Sequence, residues 1–87
     1  MEQLKLSPRT LRGLSRRALQ ELGRLQAAVE ASGAPRDAAL RLFLGARPAI
    51  THRAQGELWL EFLRLHREYR TAVRRLAQFC RERRARP

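Results

Sequence analysis

His52, His66 and Cys80 are the only imidazole and thiol side chains in the 87 residues. With the eight acids they are the groups that could ligate a metal, relay protons or attack an electrophile. Their spacing does not gather them. The three stand two helical turns or more apart, outside any zinc-ligand pattern. Most of the acids alternate with arginines at helix-surface spacings, where i,i+3 and i,i+4 ion pairs are the ordinary outcome. The glycines form neither GxGxxG nor GxxxxGK[ST], so no phosphate cradle is encoded. The expectation is a protein that is not an enzyme and uses no cofactor or metal.

Binding is the remaining chemistry, and the arginines dominate it. Nineteen Lys+Arg against eight Asp+Glu leave a net charge of +11, and Lys5 is the only lysine. Guanidinium forks make bidentate contacts to carboxylate or phosphate that an ammonium cannot reproduce. Arg12, Arg16, Arg17, Arg64, Arg67 and Arg74 are the candidate partner-binding charges. Trp59 joins them, either as a half-exposed anchor for a partner or as a cap on the edge of the core. Two partners fit this chemistry: acidic side chains on protein subunits, or the phosphates of RNA. Arginines occur along the whole chain rather than in one block. The aromatics Trp59, Phe62, Tyr69 and Phe79 mostly follow an apolar stripe, as core side chains do and base-stacking platforms do not.

That stripe comes from the elements that must position these groups. Leu58, Phe62, Leu65, Tyr69, Ala72, Leu76 and Phe79 alternate steps of four and three, which places them on one face of a helix over residues 51–84. Leu11, Leu14, Ala18, Leu22, Leu25 and Val29 predict a first helix over 8–31, opened by Ser7-Pro8 and stopped near Gly33. Gly13 and Gly23 mark candidate points of close backbone approach within it. Pro35 then opens a short helix over 35–45, buried through Ala39, Leu40, Phe43 and Leu44, with a break at Arg47-Pro48. Connections of a few residues make neighbours antiparallel. The fold class is therefore all-α: one domain over 1–87, an antiparallel three-helix bundle in the order long, short, longest. In it Leu58, Phe62, Leu65, Tyr69 and Leu76 face Leu14, Leu22, Leu25 and Phe43, and the tail from Arg81 frays.

One cysteine permits no intrachain disulfide and suits a reducing compartment, with Cys80 packed at the edge of the stripe. No apolar run approaches the ~18 residues of a membrane span. The first helix has the basic amphipathic character of a membrane-surface segment but lacks a long apolar or aromatic face to insert. Between Gln3 and Gln20 the chain carries Lys5, Arg9, Arg12, Arg16 and Arg17 and no acid, a pattern similar to a mitochondrial targeting segment.

Three blocks carry a resemblance: Thr10-Leu11-Arg12-Gly13-Leu14, Arg36-Asp37-Ala38-Ala39-Leu40-Arg41 and Arg53-Ala54-Gln55-Gly56-Glu57-Leu58. In this order they resemble the LYR-motif family, and within it the members that assist ATP synthase. In place of the family's Leu-Tyr-Arg tripeptide stands Leu11-Arg12-Gly13 or Leu14-Ser15-Arg16. The resemblance implies a small three-helix protein of the mitochondrial matrix. It would act as an assembly factor or accessory subunit of a large complex, ATP synthase first, with a mitochondrial ribosomal protein on rRNA as the alternative. It also implies an acidic acyl carrier protein as a possible partner, its acyl chain held between the helices.

Overall fold

The computed structural model describes residues 4–46 and 51–85. Among them are three helices and no strand: α1 (Pro8–Arg12), α2 (Arg16–Ala46) and α3 (His52–Ala85). The all-α, three-helix arrangement is the expected one, but the helices run short, long, longest (5, 31 and 34 residues) rather than long, short, longest. The breaks between helices are not where the sequence pattern places them.

The first helix ends after little more than one turn. Ser7 caps α1, its Oγ accepting from the Thr10 amide at 3.2 Å, and Pro8 occupies the first turn. Gly13 closes the turn, donating to the Thr10 carbonyl at 3.1 Å. Ser15 then begins again, its Oγ accepting from the Ala18 amide at 3.1 Å. A serine side chain that satisfies an otherwise unpaired amide favours a helix start over a helix interior. The interruption also has a packing reason. A continuous helix would carry Leu11 about 10 Å beyond Ala18, off the end of the molecule. Turned back, Leu4, Leu6, Leu11 and Leu14 instead cover Ala18, Leu22, Leu76, Phe79 and Cys80.

The second helix corrects the expected stop at Gly33 and the expected start at Pro35: α2 runs through both. Leu22, Val29, Arg36 and Phe43 recur every seven residues, as do Ala18, Leu25, Ser32, Ala39 and Ala46. On α3 the same interval joins Phe62, Tyr69, Leu76 and Arg83, and also Leu58, Leu65, Ala72 and Phe79. Two stripes with this interval keep two helices facing each other over many turns. Pro35 falls outside the stripe and is exposed, as is Ala31, whose carbonyl loses its amide partner to the proline. Solvent can take that carbonyl, so the register of the seam outweighs the local helix breaker.

The pairs along the seam show that α2 and α3 are antiparallel. Ala18 and Leu22 cluster with Leu76, Phe79 and Cys80 at one end. Midway, a Cβ at Gly33 would stand 3.5 Å from Tyr69 Cε2, and the Arg36 guanidinium lies 4.4 Å above the Tyr69 ring. Near the far end the Phe43 and Trp59 rings are 5.2 Å apart. Gly33 is thus a point where an aromatic side chain lies against the helix. Gly23 has open space around it, and the atoms nearest Gly13 are carbonyls of its own turn, so neither marks a close backbone approach.

Thr51 caps α3, accepting from the Ala54 amide at 3.2 Å. The helix continues through the segment expected to fray: the Arg83 guanidinium sits 4.8 Å over the Phe79 ring, and Arg84 donates to the Lys5 carbonyl. The break expected at Arg47-Pro48 lies outside the described residues. The molecule measures 56 × 19 × 16 Å, with a radius of gyration of 17.4 Å against about 12 Å for a compact domain of this length. It is a helical hairpin whose one well-buried cluster among the described residues lies at the end that α1 covers.

Two stability measurements follow from this packing. Pro35→Ala should raise the unfolding free energy by about 2 kcal/mol, the helix-interior penalty less the lost restriction of the unfolded chain. If Pro35 opened a separate helix, the same change would bring no gain in a urea titration. Leu76→Ala should lower stability by about 2–5 kcal/mol, enough to leave so small a core largely unfolded at room temperature. Far-UV circular dichroism would reveal the loss.

Candidate partner-binding groove

The seam closes well only where large side chains meet. Farther along, α2 contributes Leu25, Ala28 and Ser32 and α3 contributes Thr71 and Ala72, and the four small side chains among them leave space between the two helices. An open groove of about 790 Å³ results. Its floor is mainly aliphatic, with the hydroxyl-bearing Ser32 and Thr71 beside Leu25, Ala28 and Ala72, and Glu21, Arg24, Arg67, Glu68 and Arg75 form its rim.

The rim charges are not equivalent. Glu21 pairs with Arg24 at 3.6 Å, and Glu68 accepts from Arg64 at 3.0 Å. Arg67 and Arg75 are exposed, and neither has an acid within ion-pair distance among the described residues. Both acids of the rim are therefore engaged, while two of its cations are free.

The residues singled out from sequence separate into several places. Arg67 alone lines the groove. Arg64 is forked between Glu61 and Glu68 on its own helix, which holds the Glu61 carboxyl below its usual range, chiefly through the hydrogen bond. That makes Arg64 a poor candidate for gripping a partner. Arg74 is exposed on α3 within the run Arg70, Arg74, Arg75 and Arg81, where no acid occurs between Glu68 and Glu82. Arg12, Arg16 and Arg17 are exposed near the α1–α2 break. A depression there is lined by Arg9, Arg83 and Arg84 as well as Ser15 and Ala18. Trp59 packs at the edge of the seam and keeps an exposed face. It is 41% exposed, yet its ring lies 5.2 Å from both Phe43 and Phe62.

Sequence reasoning missed Arg24 and Arg75 as rim charges. Their positions become readable only once α2 and α3 are set antiparallel in the seven-residue register. Cys80 is fully buried, in agreement with its expected packing role. Among the described residues no group of three His, Cys, Asp or Glu could hold a metal ion, and no helix is long and apolar enough to cross a membrane. Comparison with protein-family models, with curated proteins and with solved structures finds no match for the chain.

Burial pushes the Cys80 thiol up, and the charge of Arg84 offsets this only in part. A thiol pKa raised on folding stabilises the folded state fully below the ordinary thiol value of about 8.5, and that contribution declines as pH rises through the raised folded value. An aromatic disulfide reagent at pH 8 should therefore label native Cys80 no faster than the protein opens. Labelling at the rate of a free thiol would contradict the burial. Cys80→Ser should cost about 1–3 kcal/mol, because the hydroxyl would lack a partner there.

Proposed function

We propose that the protein is a non-enzymatic, basic helical adaptor that assists the assembly of a large mitochondrial complex, or is an accessory subunit in one, with ATP synthase the leading candidate. The observation that supports this reading best is the groove with a mainly aliphatic floor and two unpaired arginines on its rim. Such a surface suits an acidic protein segment with an apolar side. The hairpin's shape agrees: it exposes 6878 Å², whereas a compact monomer of its mass exposes about 5,300 Å². The difference is about twice the ~800 Å² that each partner buries in an ordinary protein–protein interface.

The mitochondrial matrix setting rests on the basic, acid-free segment between Gln3 and Gln20 and on the LYR-motif resemblance. An acyl carrier protein would be an acidic partner of the right sign for the free arginines. A second reading is rRNA binding in the mitochondrial ribosome. The acid-free run Arg70, Arg74, Arg75 and Arg81 favours it, since phosphates need cations without competing carboxylates.

Affinity capture of the tagged full-length chain from mitochondria, washed with excess bulk RNA, separates the two. Subunits of a respiratory or ATP synthase complex should remain bound through the wash. Ribosomal proteins released by the RNA would instead establish the second reading.

A further inference from the structure

The groove specifies more than an acidic neighbour. We infer that it takes one amphipathic α-helix with an aliphatic seam and acidic flanks, laid along α2 and α3. This rests on the adaptor reading above and names the kind of segment the adaptor grips.

Three observations support it. The floor is formed by Leu25, Ala28 and Ser32 from α2 and by Thr71 and Ala72 from α3, and the small side chains among them let a helix of about 10 Å diameter approach closely. Beyond the groove the same flank of α2 continues through Ala31, Pro35, Ala38 and Leu42, all exposed and all uncharged, with Leu42 58% exposed. A ligand helix of several turns would therefore keep its apolar contact along α2. The free rim charges, Arg67 and Arg75, lie on α3 two turns apart, on the other wall of the groove. Acids at matching intervals on the ligand would meet them while its apolar side faces α2.

The same charges oppose a second copy of this chain as the occupant. Two molecules at +11 each would bring like charges together along the full contact, and the rim offers no free carboxylate to relieve them. The two-turn interval between Arg67 and Arg75 is one that a rigid helix presents without cost, whereas a flexible acidic tail would lose conformational freedom on binding.

The test uses the full chain and a labelled synthetic helix of about four heptads, with Leu in the seam and Glu on both flanks. A twin peptide with Lys in place of Glu serves as control. Fluorescence anisotropy should show the Glu peptide binding and the Lys peptide not. Arg67→Glu with Arg75→Glu should weaken the Glu peptide by about 30-fold or more. Arg70→Glu with Arg74→Glu makes the same change in net charge away from the groove and should alter affinity by less than about threefold. Ala28→Arg, an exposed position whose substitution leaves the buried cluster intact, should also weaken binding.

Equal losses in the two charge-reversed pairs would mean attraction to charge alone, overturning the groove assignment while leaving the adaptor reading in place. Sedimentation equilibrium showing a dimer that Ala28→Arg dissociates would give the groove to a second copy. No binding of the Glu peptide at all would likewise overturn the inference. Release of every captured partner by bulk RNA, by contrast, would remove the adaptor reading itself.

Discussion

The seven-residue apolar interval shared by α2 and α3 is the constraint on which the rest of the structure depends. It holds two helices of 31 and 34 residues face to face along a single narrow seam. Neither helix has a second apolar face broad enough to build a globular core, so burial is confined to that seam and to what α1 folds over it. The seam tolerates Gly33 and Pro35 because neither disturbs its register, and Tyr69 and Arg36 fill the place where a break would otherwise pay no penalty. Local propensity yields to tertiary packing here, as it does wherever an amphipathic face supplies most of a helix's stability.

The geometry of a two-helix seam explains the distribution of charge. A rod 56 Å long and under 20 Å wide has much surface for its volume, and arginine is the charge that dominates it, 18 of the 87 residues. The guanidiniums divide into those the fold employs and those it leaves over. Arg36 covers Tyr69, Arg83 covers Phe79, Arg84 ties α3 to the N-terminal segment, and Arg64 is shared by two glutamates. Arg67 and Arg75 have no such internal role. A charge unused within the molecule and placed beside an apolar groove is better evidence for a partner than net charge, which any basic surface would supply.

The two ends of the hairpin also differ in kind. At the end covered by α1, leucines from the N-terminal segment bury Cys80 and complete the only well-shielded cluster among the described residues. Toward the other end the rings of Phe43, Trp59, Phe62 and His66 follow one another at 5.2–5.5 Å, an aromatic ladder that joins the helices with only partial shielding from water. Exposed leucines accompany it, Leu42, Leu44 and Leu60 among them. The groove lies between a firm end and a looser one, where a helical partner could add packing that the hairpin lacks.

The sequence by itself determined the all-α class, the long C-terminal helix with its apolar stripe, the burial of Cys80 and the excess of arginine. Each is a local or periodic property, legible because helix side chains repeat every three to four residues. Gly13, Ser15, Gly33 and Pro35 were not legible in that way. Each is compatible with either a break or a continuation, and the choice depends on side chains far away in the chain: Cys80 and Leu76 for the first pair, Tyr69 for the second. The candidate site shows the same division. Arg67 stood out as a charge, but its pairing with Arg75 across from Ala28 exists only after two helices are brought antiparallel, because a groove belongs to neither helix alone.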